Sequence, residues 1–156
     1  MQRLRYNGAV EKGTYALLLA IEKEVPIAVG RLGTFTFPAG YYLYLGSAQG
    51  GLDARVKRHL RREKRLRWHI DYLLEHAEVV EVWYAQGDES QECLWCRIAQ
   101  EMPQAEIPAL GFGSSDCRCP SHLIHFSSRP YCHLFQRKLG AKGTGLKRSR
   151  PREFLS

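Results

Sequence analysis

The chain has 156 residues and carries 23 Lys and Arg against 16 Asp and Glu, a formal net charge of +7, so it is long enough for one hydrophobic core and too short for two substantial ones. It holds no run of about 20 apolar residues that would span a bilayer, and Met1-Gln2-Arg3-Leu4-Arg5 lacks the apolar segment of a signal peptide; the expectation is a soluble, cytoplasmic protein. Five cysteines, an odd number, in that setting point to metal ligands or plain thiols and away from a disulfide framework.

Thr14 to Ile21 is a near-continuous apolar run between Gly13 and the polar Glu22-Lys23-Glu24. It reads as a largely buried strand, although length alone also permits a short helix. Ile27 to Phe37 alternates and suggests a hairpin arm with one apolar face, after which Pro38-Ala39-Gly40 turns the chain. Tyr41 to Leu45 is dense in aromatics and is expected to be a strand ending at Gly46, with Tyr41 and Tyr42 in the core. A loop over Gly46 to Gly51 leads into a helix from Leu52 to Arg62, where Leu52, Val56 and Leu60 recur at i, i+4 and i+8 as its buried stripe. Arg55 and His59 precede Val56 and Leu60 by one position, about 100° round the helix. They therefore border the buried face, where a side chain can lean over a neighbouring strand.

Trp68 to Ala77 repeats the helical pattern with Ile70, Leu73, Leu74 and Ala77 on one face, and Glu78 to Ala85 reads as a core strand. His69 and Asp71 are too close to share one helix face, so one is expected to cap or to accept a buried hydrogen bond. Ser90 is a suitable N-cap for a helix from Gln91 to Met102, which puts Glu92 in its first turn. Pro103 and Pro108 end that helix, Leu110 to His122 is a glycine- and serine-rich loop, and Leu123 to Phe126 is a short apolar element. In the loop, Ser114, Ser115 and Asp116 suit either phosphate binding or a turn. The expected organisation is one domain over residues 1–136 followed by a basic, flexible tail over 137–156, where apolar residues thin out.

Basic residues cluster. Lys57, Arg58, Arg61, Arg62 and Arg65 fall within or just after the helix that carries Arg55, and Lys142, Lys147, Arg148, Arg150 and Arg152 fall in the tail. Such runs attract a polyanion by counterion release, so nucleic acid is the leading partner; a solvated surface is the alternative. Cys93-x-x-Cys96 and Cys117-x-Cys119 with His122 hold enough ligands for a structural zinc. Cys93 and Cys96 fall on a regular helix, where this spacing serves a metal less readily than on a knuckle turn, and buried thiols are the simpler reading.

In this order the motifs resemble the GIY-YIG nuclease superfamily, most closely its DUF123, or Uri-type endonuclease, branch. The resemblance runs from Gly13 to Phe126. It rests on Gly13-Thr14-Tyr15-Ala16-Leu17, the stretch Gly40 to Ala48 with Tyr44-Leu45-Gly46, Leu52-x-Ala54-Arg55-x-x-Arg58-His59, Trp68-His69-Ile70-Asp71-Tyr72-Leu73, Glu92-Cys93, and Gly111 to Cys117. It implies an α+β fold with a small antiparallel central sheet flanked by helices, and a site shared by Tyr15, Tyr44, Arg55 and Glu92, with His59 matching a histidine of some members. Thr14 and Leu45 stand where the superfamily's triplets have isoleucine. The residues between the triplets, roughly Glu24 to Pro38, exceed its usual compact hairpin and are expected to lean over the site or to move Tyr15 out of it. The implied activity is metal-dependent hydrolysis of DNA phosphodiesters in repair or processing, with a repair protein as a possible partner.

The chemistry is consistent with those residue types. Glu92 can hold Mg²⁺ or Mn²⁺, hard cations that commonly keep several waters beside one carboxylate and substrate phosphate. Arg55 can clamp non-bridging phosphate oxygens. Tyr15 is the candidate base, yet a phenol of pKa about 10 is ionised at about one part in a thousand at pH 7, and lowering it by three units takes about 4 kcal/mol. Arg55, the metal or a relay through Tyr44 or His59 has to supply this, or Tyr15 only orients water; the relay is the preferred reading. Two alternatives stand beside an endonuclease: a non-catalytic nucleic-acid-binding accessory domain and a zinc-stabilised interaction module.

Overall fold

The computed structural model describes residues 5–6 and 9–155; Met1 to Leu4, most of the segment read as lacking an apolar leader, lie outside them. Two short strands, β1 (Arg5–Tyr6) and β2 (Ala9–Val10), pair at the start of the chain. β3 (Gly13–Ile21) follows, then the hairpin of β4 (Val25–Val29) and β5 (Gly33–Phe37), and then β6 (Gly40–Ala48). After them come α1 (Leu52–Leu60), α2 (His69–Leu74), β7 (Glu78–Gln86), α3 (Glu92–Gln100), β8 (Ala105–Glu106), β9 (Leu123–Phe126), α4 (Cys132–Leu139) and β10 (Lys147–Ser149). The class is α+β, as expected. The central sheet has six antiparallel strands in the order β10-β7-β3-β6-β9-β8.

The apolar run from Thr14 follows from the place of β3 at the middle of this sheet, covered on both faces. Tyr15, Leu17, Leu19 and Ile21 point to one face, where Leu52 and Val56 of α1, Ile70 and Leu73 of α2, and Ile27, Val29 and Phe37 of the hairpin pack on them. Ala16 and Leu18 point to the other, against Trp95, Cys96 and Ala99 of α3 and Phe135 and Leu139 of α4. β6 alternates likewise, with Tyr42 and Tyr44 on the first face and Leu43 and Leu45 on the second. Strands buried on both faces lose the apolar-polar alternation, which is why periodicity left helix and strand open there.

The β4–β5 hairpin forms its own two-stranded sheet and buries Ile27, Val29 and Phe37 against the first core. It leaves Tyr15 facing Gly46 across an unbroken β3–β6 ladder. Of the two outcomes foreseen for this insertion, displacement of Tyr15 does not occur.

The segment foreseen as a flexible tail is instead part of the fold. α4 covers the second core through Phe135 and Leu139, β10 extends the central sheet by pairing with β7, and Phe154 is buried with its ring edge-on to Tyr84, centroids 5.9 Å apart. Its few apolar residues suffice because β10 gains ladder hydrogen bonds whatever its side chains. Ser90 also differs by one position from its expected role: Gln91 occupies the N-cap of α3, and Ser90 Oγ accepts the Glu92 N–H at 3.4 Å. Among the described residues no helix is long and apolar enough to cross a membrane.

Candidate functional site

One cleft of about 360 Å³ is lined by Tyr15, Tyr44, Ser47, Arg55, Trp68 and Glu92, with Ser115 and Asp116 at its loop side. Four of the five expected catalytic residues thus meet at one cavity, and the fifth, His59, lies directly behind Tyr15. A second hollow of about 460 Å³ borders His59 near the ends of α1 and α2, with Arg61, Arg62 and Lys64 around it and none of the other four.

Strand register sets the tyrosines. Tyr15 pairs with Gly46 and Leu17 with Tyr44, so the two tyrosines are diagonal neighbours on one face of the sheet, ring centroids 6.5 Å apart. Gly46 has a steric reason to be glycine: a Cβ there would sit 2.6 Å from both Cζ and the hydroxyl oxygen of Tyr15. A Cβ at Gly13 would run into the Ala85 carbonyl oxygen and Leu52. Each motif glycine makes room for a neighbour's approach.

His59 is buried and lies 2.6 Å by Nε2 from the Tyr15 hydroxyl, while its Nδ1 has no hydrogen-bond partner. Burial and then nearby Lys64 lower its pKa to about 3, so the imidazole is neutral at pH 7. Burial raises Tyr15 well above the ordinary phenol value, against the opposing pull of Arg55, and raises Tyr44 as well. The depressed tyrosine pKa that a general base requires is therefore the reverse of what this pocket produces. A neutral His59 that resists protonation is also a poor terminal acceptor for the foreseen relay. An orphaned lone pair on Nδ1 costs less than an orphaned N–H, which favours Nε2–H donating to the Tyr15 oxygen. The Tyr15 proton is then free for a group in the cleft.

Arg55 donates from Nη1 to the Ser47 carbonyl at 3.0 Å, and its guanidinium carbon lies 4.7 Å from the centroid of the Trp68 ring. Glu92 is the first residue of α3, where the helix dipole favours an anion. Its Oε2 accepts from Ser47 Oγ at 3.2 Å, and its Oε1 lies 2.6 Å from His122 Nδ1 at an angle outside that of an aligned hydrogen bond. Thr14 fixes the start of α3 by accepting the Gln91 N–H at 2.9 Å. The hydroxyl at this triplet position thus ties the tyrosine strand to the glutamate helix. Ser47 and Trp68 were absent from the expected site; each adjoins a motif residue in sequence, but only folding shows that Ser47 bridges Glu92 and Arg55.

The basic residues divide. Arg58 forms two hydrogen bonds, of 2.9 and 3.0 Å, to the fully buried Asp71 and stacks on Trp68 at 4.1 Å, so it is committed to the fold and not to a ligand. Burial alone would raise the Asp71 carboxyl, but Arg58 and the N–H groups of Trp68 and Arg67 hold it below the ordinary value. Lys57 pairs with Asp53 at 3.0 Å, a surface contact worth little that a phosphate could replace. Arg61, Arg62 and Arg65 are exposed. Of the pair read as cap or buried partner, Asp71 caps α2 and His69 accepts the Gly113 N–H at 2.8 Å, tying the glycine-rich loop to that helix.

Beside the cleft, Cys93, Cys117, Cys119 and His122 bring four ligand atoms within 4.8 Å of one another, a set able to hold a metal ion. Cys96 is not part of it. It faces the second core, one helical turn from Cys93 but on the buried side of α3. The thiols are accordingly not all plain core groups as foreseen, and a regular helix needs to give only one ligand when a loop supplies the rest.

Comparison with curated proteins and with solved structures finds no significant match. The family model "Domain of unknown function DUF123" matches residues 14–142, a span that includes both tyrosine strands, the Arg55 and Glu92 helices and the Cys/His loop. On that coverage the chain belongs to the DUF123 family.

Proposed function

We propose that this protein is a metal-dependent endonuclease of the GIY-YIG, Uri-type kind that hydrolyses phosphodiester bonds in DNA. One observation carries the reading: Tyr15, Tyr44, Arg55 and Glu92, far apart in sequence, line a single cleft of about 360 Å³. A hard dication suits the site, since Glu92 and Asp116, both carboxylate residues, are among those that line the cleft. Glu92 would hold Mg²⁺ or Mn²⁺, which when bound stabilises charge on the leaving oxygen and acidifies a bound water.

The chain's own groups do the rest. Arg55 has one guanidinium N–H on the Ser47 carbonyl and keeps others for non-bridging phosphate oxygens. Trp68 holds that guanidinium in place before substrate arrives, which lowers the cost of ordering it. Tyr15 keeps its proton at neutral pH and orients the attacking water, with His59 fixing the direction of its hydroxyl. Arg61, Arg62 and Arg65 hold the flanking backbone without reading sequence.

Supercoiled plasmid and single-stranded oligonucleotides incubated with Mg²⁺ or Mn²⁺ test the activity. Wild type is expected to nick at least one of them, and Glu92→Gln to lose cleavage while retaining DNA affinity. Salt-dependent binding with no cleavage under any of these conditions would replace the enzyme with a nucleic-acid-binding accessory domain. The raised Tyr15 pKa and the occupation of both Glu92 oxygens by His122 and Ser47 favour that second reading.

A further inference from the structure

The loop over residues 107–122 joins β8 to β9 with almost no regular structure. Loops longer than about 12–15 residues without secondary structure are uncommon in compact domains unless they carry function. This one is held at several points. Gly111 N–H bonds to the Pro120 carbonyl, His122 N–H to the Phe112 carbonyl, and Leu45 N–H of β6 to the His122 carbonyl, at 2.7, 2.8 and 2.9 Å. The result brings Cys117, Cys119 and His122 against the first turn of α3, where Cys93 projects.

We infer that Cys93, Cys117, Cys119 and His122 bind one structural zinc ion, and that His122 joins that ion to Glu92. Tetrahedral zinc with Zn–S of about 2.3 Å and Zn–N of about 2.0 Å holds its ligand atoms roughly 3.6–3.8 Å apart. A set already within 4.8 Å closes on such an ion with small side-chain rotations. Three sulfurs and one imidazole are a donor set that zinc prefers over Mg²⁺ or Mn²⁺, and four protein ligands leave no open position for a reaction.

The two imidazole nitrogens of His122 have different neighbours. Nε2 lies 3.1 Å from Cys117 Sγ and so faces the thiols, whereas Nδ1 lies 2.6 Å from Glu92 Oε1. The ring is buried, and Nδ1 lacks any aligned hydrogen bond. With Nε2 on zinc the tautomer is fixed, Nδ1 carries the proton, and a small rotation aims it at Glu92. This is the carboxylate-histidine-zinc arrangement by which outer carboxylates and ligating histidines orient one another. Here the carboxylate is itself a cleft residue. Zinc would thus be remote from the cleft chemistry yet hold Glu92 at its edge.

The test needs no cleavage assay. Protein purified under reducing conditions is expected to contain about one zinc per chain, and cobalt put in its place to show tetrahedral d–d bands with thiolate charge transfer. Cys96→Ala is expected to keep the metal, and Cys119→Ser to lose it. ¹⁵N NMR of the zinc-loaded protein is expected to find His122 bound through Nε2 and protonated at Nδ1, with the Nδ1 resonance shifted by Glu92→Gln at unchanged zinc content. Zinc absent after reconstitution, loss of metal in Cys96→Ala equal to that in Cys119→Ser, iron in place of zinc, or an Nδ1 resonance indifferent to Glu92→Gln would each overturn the proposal, even if a serine variant fails to fold.

The effect on cleavage rests on the nuclease reading. His122→Cys is expected to keep zinc as a four-cysteine site but to lower the rate or the Mn²⁺ affinity about 10- to 100-fold. If wild type cleaves nothing, the nuclease reading fails while the zinc and ¹⁵N results still decide the site.

Discussion

Tyr15 is held by two neighbours of different kinds. Its ring lies over Gly46, where no Cβ fits, and its hydroxyl meets His59. Gly46→Ala removes no chemical group but must move the ring; on the proposed nuclease reading, a misplacement of about 1 Å should lower the cleavage rate about 100-fold while DNA affinity holds. A variant that cleaves like wild type would show that Tyr15 does not need its observed position. His59 gives a pH signature. Its folded pKa of about 3 lies below its unfolded value of about 6.5, so the unfolded chain takes up the proton first as pH falls. Stability therefore declines from pH 6.5 downward, by about 2 kcal/mol at pH 5 from this group alone. Urea midpoints at pH 7 and pH 5 are expected to diverge less in His59→Phe than in wild type; equal divergence would refute a buried, neutral His59.

At the level of elements, the site groups are delivered by four: β3 brings Tyr15, β6 Tyr44 and Ser47, α1 Arg55, and α3 Glu92. The stripe of α1 was readable because one side of that helix is core and the other solvent. Of its three residues, however, Leu52 and Val56 are buried and Leu60 half-buried, and His59, expected at the border, is buried beside them. The C-terminal elements were not readable, since their composition is that of a solvated tail and their order comes from an open sheet edge and one aromatic. Phe154→Ala tests this. Deleting a buried ring is expected to cost about 3 kcal/mol and to lower the urea midpoint with unchanged m-value, whereas an undocked terminus would leave the midpoint where it is. Cys93 and Cys96 make the same point for the helix. Their spacing suggested a ligand pair, but α3 turns one towards the loop and the other into the core.

For the molecule as a whole, the net charge of +7 is spread unevenly: after Arg58 and Lys57 are set aside, Arg61, Arg62 and Arg65 are exposed along the segment that follows α1, and the exposed Arg67 lines the cleft itself. On the proposed nucleic-acid reading, replacing Arg61, Arg62 and Arg65 with glutamine should weaken DNA binding irrespective of sequence and make the plot of log K against log salt shallower by about 0.9 for every duplex phosphate that is no longer neutralised. Fluorescence anisotropy over a salt series measures it; an unchanged slope would place the DNA elsewhere. The amino-acid sequence by itself determined the hairpin arm, the strands from Tyr41 and from Glu78, the amphipathic helix and the order of motifs, because local periodicity and turn residues depend on neighbours within a few positions. Only the tertiary structure decided that Arg58 belongs to Asp71, that Ser47 bridges Arg55 and Glu92, that Cys93 and not Cys96 joins the loop thiols, and that Tyr15 is too deeply buried to ionise readily. Pairing and desolvation depend on groups that meet only when distant segments pack, and no local pattern records them.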